Sequence, residues 1–197
     1  MKKFELTTET KLRLDRTLYR IKALVSFGIV VEGELGGWVE KEQNLNQEGN
    51  AWVYGDARVY GDARVYGDAR VYGDAEVSGN AWVYGDARVY GNAWVSGDAR
   101  VSGNAWVYGD AEVSGDAEVS GNAEVQNRRD YLTISPIGSE NGVFTAYRSK
   151  GGGVQCNRGC FHGTIEEFEA KVAKTHGENE YAKQYQAVIE LAKLRLG

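Results

Sequence analysis

One hexapeptide decides the fold of this chain, and its first copy reads Gly49-Asn50-Ala51-Trp52-Val53-Tyr54. It is repeated thirteen times without insertion, from residue 49 to residue 126. Each copy has Gly first, Asp or Asn second, Ala third and Val fifth, and the sixth residue is Tyr or Ser except for Gln126. A fixed short period is the sequence signature of a repeat architecture, so it governs the interpretation of the rest of the chain.

The chemistry of one hexapeptide predicts a short strand followed by a corner. Ala-x-Val-x alternates apolar and variable residues, which is typical of a strand with one buried face. Gly-Asp and Gly-Asn supply the corner, since glycine adopts dihedral angles closed to other residues. Such a unit buries nothing alone, whereas stacked parallel strands share a core. We therefore predict a mainly β chain folded as a three-sided parallel β-helix, with 18 residues in each coil.

A coil of 18 residues aligns specific side chains in columns. The first side carries a tyrosine at the end of each of its first four strands, and the second and third sides become serine-rich. Tyr, Trp and Arg are enriched at binding hot spots, so the first side is our candidate partner-binding face. Its residues are Trp52, Tyr54, Arg70, Tyr72, Arg88, Tyr90, Trp106 and Tyr108. The alternative is that stacked aromatic residues only stabilise the ladder.

Residues 1–48 and 127–197 do not follow the repeat. We interpret residues 1–48 as an N-terminal β cap, with a half-buried strand near Tyr19–Val25 and a hairpin turn at Asp15-Arg16. Residues 127–197 form a small C-terminal α+β module. Its predicted strands are 131–134, 143–147 and 154–156, and a capping box at Thr164 precedes the first of two helices.

Charge is distributed unevenly along the chain. The net charge of −5 combines a balanced cap, a repeat of −7 and a module of +2, so no basic nucleic-acid footprint is present. The last coil is acidic while the module begins with Arg128 and Arg129, which favours docking of the module as a cap on that end. No transmembrane run or signal peptide is apparent, and two cysteines fit a reducing cytoplasm.

Four segments resemble a group of phage- and prophage-encoded hexapeptide-repeat β-helix proteins. They are Tyr19-Arg20-Ile21-Lys22-Ala23-Leu24, Gly36-Gly37-Trp38-Val39-Glu40, Gly49-Asn50-Ala51-Trp52-Val53, and residues 159–169, which resemble a C-terminal module of such proteins. The repeat is more loosely similar to the left-handed β-helices of hexapeptide acyltransferases, which implies a left hand. Bactofilin-like filaments are the right-handed alternative.

Catalysis is not indicated by the residues of the repeat. Hexapeptide acyltransferases use a histidine base, and β-helical carbonic anhydrases use a histidine metal site, yet residues 49–126 contain no His, Cys or Lys. In the module, Cys156, Cys160 and His162 have a spacing unlike that of paired zinc ligands. We therefore predict no catalytic residue, no metal and no cofactor, with a relative of the acyltransferases as the alternative.

These observations favour a binding protein over an enzyme. The resemblance implies a phage-encoded scaffold in the bacterial cytoplasm that blocks or sequesters a host factor, as a counter-defence inhibitor does. Self-association as a dimer or trimer through the tyrosine column is also expected, because flat exposed aromatic patches mark interfaces. A purely structural, oligomer-forming scaffold is a further alternative. Mimicry of nucleic acid by the acidic surface is less favoured, because the arginines of the repeat alternate with the aspartates and weaken the negative electrostatic potential.

Overall fold

The computed structural model describes residues 2–197 and confirms the parallel β-helix. Trp52 and Val53 pair in parallel with Arg70 and Val71, and the same register continues along each side. Side chains at corresponding corner positions meet with the same separation of 18 residues, as Asn50 and Asp68 do. The repeat forms this ladder because each hexapeptide provides one strand and one corner. The hand of the helix stays a prediction.

The first coil begins before the repeat. Strands β1 (Phe4–Arg13) and β2 (Arg16–Ala23) form an antiparallel hairpin, and β2 continues into β3 (Leu35–Val39). β3 then pairs in parallel with residues 58–59, so the region predicted as a cap also contributes a layer of the β-helix. The hairpin turn is at Leu14 and Asp15, both with positive φ, and not at Asp15-Arg16 as predicted.

Thirteen two-residue strands follow, one in each hexapeptide. They are β4 (Trp52–Val53), β5 (Arg58–Val59), β6 (Arg64–Val65), β7 (Arg70–Val71), β8 (Glu76–Val77), β9 (Trp82–Val83), β10 (Arg88–Val89), β11 (Trp94–Val95), β12 (Arg100–Val101), β13 (Trp106–Val107), β14 (Glu112–Val113), β15 (Glu118–Val119) and β16 (Glu124–Val125). The first side consists of β4, β7, β10, β13 and β16, and the second of β3, β5, β8, β11 and β14. The third side consists of β6, β9, β12 and β15, extended by a bridge between Leu45 and Val65.

The core of the β-helix is as narrow as the repeat predicts. Every repeat alanine and valine from Ala51 to Val125 is at most 1% exposed. The corners require glycine: at Gly79, with φ of 66°, an added Cβ would lie 2.9 Å from the backbone of Gly97. An interior filled by small side chains and closed by tight corners leaves function to the outer surface and to the ends.

Both ends are closed by residues outside the repeat. At the N-terminal end, Phe4 and Val30 join the core of the β-helix. Leu18 of the hairpin packs on Trp38 and Tyr60 over the second side. At the C-terminal end lie β17 (Tyr131–Ile137), β18 (Gly142–Arg148), β19 (Val154–Arg158) and β20 (Phe161–Thr164). They form one antiparallel sheet, in which β20 was not predicted.

Two helices cover the sheet of the C-terminal unit. They are α1 (Ile165–His176) and α2 (Glu180–Leu196). The predicted capping box is confirmed, since Thr164 Oγ1 accepts from the Glu167 amide and Glu167 Oε2 accepts from the Thr164 amide. Helix α1 ends at Gly177, whose φ of 56° favours glycine. Ile165, Phe168 and Val172 form the buried face of α1.

Candidate functional site

A stack of tyrosine rings forms the centre of the first side. The ring centroids of Tyr72 and Tyr90 are 4.7 Å apart with an interplanar angle of 2°, and those of Tyr90 and Tyr108 are 5.0 Å apart at 7°. The rings stack because the sixth position of the hexapeptide returns to the same place in each coil. Such contacts stabilise the ladder and leave the ring edges and hydroxyl groups at the surface.

Two arginines lie side by side next to this stack. Arg70 and Arg88 are register partners in β7 and β10, and both side chains are half-buried. Within residues 2–197, neither guanidinium has a carboxylate oxygen within 4.0 Å and neither donates a hydrogen bond. Arg100 on the third side differs, because it lies 3.5 Å from Glu118.

The arginines and tyrosines line a cleft of about 330 Å³, which extends to an exposed residue of the N-terminal region. The lining residues are Ile29, Tyr54, Arg70, Tyr72 and Arg88. Ile29 is 65% exposed, so it adds an apolar edge to a cationic and aromatic surface. The arrangement can hold an apolar side chain at one end and an anionic group at the other.

The two tryptophans of the predicted face do not contribute equally. Trp52 is fully buried against Phe4 and Phe27, with ring centroids 6.1 and 5.4 Å apart, so its assignment to a surface face is wrong. Trp106 is half-buried beneath Lys150, whose Nζ lies 3.9 Å from the ring centroid. The N-terminal residues and the C-terminal unit therefore shorten the face at both ends. Tyr54, Arg70, Tyr72, Arg88, Tyr90 and Tyr108 remain half-buried along it.

Glu124 is the acidic group at the C-terminal end of the stack. The Tyr108 hydroxyl donates to Glu124 Oε1 at 2.9 Å. Burial and this hydrogen bond raise the pKa of Tyr108 to about 12, so the phenol stays protonated at neutral pH. The Glu124 carboxylate already accepts this hydrogen bond from Tyr108, so it is less available to a ligand.

The third side carries an aromatic and cationic surface that the sequence interpretation missed. Trp82 lies between Arg64 and Arg100, whose guanidinium carbons are 5.9 and 5.6 Å from the indole centroid. Tyr66 and Tyr84 stack beside it at 4.9 Å. A groove of about 650 Å³ runs from Trp82 to the segment 42–47. The sequence signal for this surface was the spacing of 18 residues between Arg64, Trp82 and Arg100. It was given less weight because the neighbouring tyrosine column ends in serines.

The residues of the cysteine and histidine pattern have separate environments. Cys156 is buried in the core of the C-terminal unit, and burial raises the pKa of its thiol to about 12. Cys160 is exposed, and His162 directs Nδ1 towards Asn157 Oδ1 at 2.8 Å. Among residues 2–197, no group of three or more His, Cys, Asp or Glu side chains is placed to hold a metal ion.

The helices give no indication of a membrane span. Within the described chain, neither α1 nor α2 combines the length and the apolar character that crossing a bilayer requires.

Comparison with known proteins identifies the repeat. The chain is similar to the family described as YdcK Beta solenoid repeat, with overlapping matches at residues 51–67, 57–70, 63–79, 69–85, 81–97 and 93–109. No curated protein matches the chain. The matched segments lie within the coils that carry the tyrosine stack and the Arg70–Arg88 pair. The chain is therefore a repeat β-helix protein.

Proposed function

We propose that this protein is a non-catalytic binding protein, in which the rigid β-helix presents its first side to a partner protein. The observation that supports this proposal is the cleft where stacked tyrosines flank the half-buried arginines Arg70 and Arg88. Tyrosine and arginine are enriched among residues that dominate binding energy. A stacked column also holds its rings in place before binding, which lowers the conformational entropy lost on association.

The biological role proposed for this binding is to block or sequester a host factor. It rests on the resemblance to phage- and prophage-encoded β-helix proteins, which favours a counter-defence inhibitor acting in the bacterial cytoplasm. An inhibitor of this kind requires a stable surface and no chemistry of its own. The narrow core of the β-helix holds its outer surface in a fixed arrangement and so provides such a surface.

Affinity purification from lysate of a bacterial host, followed by mass spectrometry, tests the proposal. The informative variant is Tyr72→Ser with Tyr90→Ser, because serine already occupies this position in other hexapeptides of the same β-helix. We expect a partner that the wild-type protein retains and this variant loses. The matched control is Tyr66→Ser with Tyr84→Ser on the third side, which should retain it.

A partner that the first-side variant retains, but the third-side variant loses, would contradict the assignment of the face. Repeating the binding with the purified partner separates direct from indirect capture. Circular dichroism and thermal melting of both variants establish that the β-helix is intact. Loss of binding together with loss of melting cooperativity would point to damaged structure and would not support the proposal.

A second copy of the chain is the alternative partner for the same face. The specific observation is the flat stack of Tyr72, Tyr90 and Tyr108, which could face an identical stack across a two-fold or three-fold axis. Light scattering at tens of micromolar protein should then show a dimer or trimer, and Tyr72→Ser with Tyr90→Ser should show a monomer. A monomeric wild-type protein would leave the face to another partner.

A further inference from the structure

We infer that the first side binds an acidic, extended segment of a protein, whose carboxylates pair with Arg70 and Arg88. This inference rests on the proposed function and adds the chemistry of the partner. The segment would follow the axis of the β-helix across β7 and β10. Parallel strands in neighbouring layers are about 4.8 Å apart, so two carboxylates of one short segment can reach both guanidinium groups.

The first argument is the unsatisfied charge of the arginines. Both guanidinium groups are half-buried, and no carboxylate among residues 2–197 lies within ion-pair distance. Removing a charged group from water without a partner is unfavourable. A guanidinium presents a planar set of N–H donors that matches the two oxygens of a carboxylate. Arg88 also packs on the Trp106 ring, with its guanidinium carbon 5.3 Å from the ring centroid, and this contact leaves its N–H groups without an acceptor. A carboxylate from outside would therefore accept hydrogen bonds that neither arginine donates within the described residues.

The second argument is the excess of hydrogen-bond donors on this face. The hydroxyls of Tyr54, Tyr72 and Tyr90 have no hydrogen-bond partner among the described residues, and burial raises the pKa of each phenol. They are thus protonated donors at neutral pH. Of the carboxylates nearest the stack, Glu124 accepts from Tyr108, and Glu34 accepts from the amide of Val31. A surface rich in donors is complementary to a segment rich in acceptors.

The third argument distinguishes a protein segment from a nucleic acid. Exposed aspartates follow both edges of the first side, with Asp68 and Asp86 at one corner and Asp56 and Asp74 at the other. A nucleic acid carries a phosphate at every nucleotide, and these aspartates would repel it. A protein segment can place carboxylates only at the arginines. It can also place an apolar side chain against Ile29, which lines the same cleft.

Selection from a displayed library of random dodecapeptides on the immobilised full-length protein tests the inference. We expect enrichment of peptides with clustered Asp and Glu on the wild-type protein. The enrichment should be lost with Arg70→Gln combined with Arg88→Gln. It should persist with Arg64→Gln, a matched control because Arg64 is an exposed arginine of the third side without an ion-pair partner among residues 2–197.

The affinity of one enriched peptide then gives the size of the effect. The double variant should bind it about tenfold more weakly or worse, since hydrogen bonds to charged groups are stronger than neutral ones. Added salt should weaken binding to the wild-type protein. Unchanged circular dichroism and melting of the double variant would show that the loss comes from the removed charges.

Four outcomes would overturn the inference. Three of them are an absence of enriched peptides, enrichment of neutral or basic peptides, and acidic peptides whose affinity does not depend on Arg70 and Arg88. Oligodeoxythymidine that displaces the bound peptide at a lower concentration than the free peptide itself does would also overturn the inference, in favour of a nucleic acid. If the host partner still depends on Tyr72 and Tyr90 in any of these cases, the proposed function stands and only the acidic chemistry fails.

Discussion

The hydroxyl of Tyr147 lies 3.1 Å from the hydroxyl of Ser120, although the two residues belong to different parts of the chain. Tyr147 is fully buried and packs against the core of the β-helix. Beside it, Thr145 Oγ1 accepts from the amide of Glu118 at 3.1 Å, and Asn157 Nδ2 donates to the Glu118 carbonyl at 3.0 Å. β18 and β19 thus satisfy backbone groups of the last coil, which an open end would leave unpaired.

Removal of the C-terminal unit should therefore expose the end of the β-helix. We expect a chain truncated after Gln126 to aggregate, or to melt at a lower temperature than the full-length protein. Sedimentation and circular dichroism melting measure these effects. A truncated chain that stays monomeric and melts like the intact protein would show that the C-terminal unit does not stabilise the β-helix.

Point variants of Tyr147 separate packing from hydrogen bonding at this cap. Tyr147→Ala should lower the free energy of unfolding by about 3–5 kcal/mol, as large aromatic truncations in cores do. Tyr147→Phe retains the ring and should cost about 1 kcal/mol through lost hydrogen bonds. Urea unfolding monitored by circular dichroism provides both values. Equal losses in the two variants would contradict a packing role for the ring.

The narrow core gives a second prediction, for Val83. Its side chain is fully buried, and its register partner in the next coil is Val101. Val83→Asp would place a carboxylate among apolar side chains without a partner, which costs several kcal/mol. We expect insoluble or unfolded protein, measured by solubility and circular dichroism. The neighbouring variant Trp82→Glu changes an outward side chain and should stay folded, whereas wild-type behaviour of Val83→Asp would contradict the winding.

The sequence predicted the β-helix well because its period assigns each residue a place in the coil. Ala, Val and Gly have the same environment in every coil, so their burial and corner geometry follow from one hexapeptide. The residues that cover a coil from outside belong to segments distant in the sequence, and the repeat does not specify them. Trp52 occupies an outward position of the hexapeptide, yet Phe4 and Phe27 bury it. The period contains no information on those contacts, which is why Trp52 was misassigned.

The interpretation of the charges was limited by the same non-local contacts. The predicted attraction between the acidic last coil and the module has a counterpart in the ion pair of Arg128 with Glu112. An exposed pair of this kind contributes only about 0–1 kcal/mol, so Tyr147 and its neighbours account for most of the docking. The Arg70–Arg88 pair could be predicted from the 18-residue spacing. Its lack of acidic partners could not, because the corner aspartates are close in sequence and the period does not determine their distance from the guanidinium groups.

Glu76 gives the third prediction, for the N-terminal hairpin. This carboxylate is 6% exposed and accepts from the Tyr60 hydroxyl, and Arg13 of the hairpin lies 3.0 Å away. Glu76→Ala would leave these groups unpaired and lower the free energy of unfolding by about 1–3 kcal/mol, allowing for the partial exposure of Arg13. Faster tryptic cleavage in the hairpin should accompany the loss.

The control for Glu76 is Glu118, on the third side. Its partner Arg100 lies 3.5 Å away, and both side chains are more than a third exposed. Glu118→Ala should therefore change stability by about 0–1 kcal/mol. A double-mutant cycle between Arg13→Ala and Glu76→Ala would give the coupling energy directly. Coupling indistinguishable from zero would mean that apolar contacts of Leu18, and not this ion pair, hold the hairpin.

The two cysteines give the fourth prediction, on reactivity. Cys160 is exposed, whereas Cys156 is buried in the core of the C-terminal unit. One thiol per chain should react rapidly with Ellman's reagent in the native protein, and the second only after unfolding in guanidinium. Cys160→Ser should abolish the rapid reaction, while Cys156→Ala should leave it unchanged. Rapid reaction of both thiols would show that the core of this unit opens.

The same burial predicts how stability depends on pH. Burial raises the pKa of the Cys156 thiol from about 9 to about 12, so the folded state keeps its proton where the unfolded state loses it. The unfolded state then binds fewer protons, and stability falls as pH rises from 9 towards 12. The loss should reach about 1 kcal/mol one pH unit above the unfolded pKa. Urea unfolding of wild type and Cys156→Ala across this range should diverge accordingly, while parallel curves would contradict burial of the thiol.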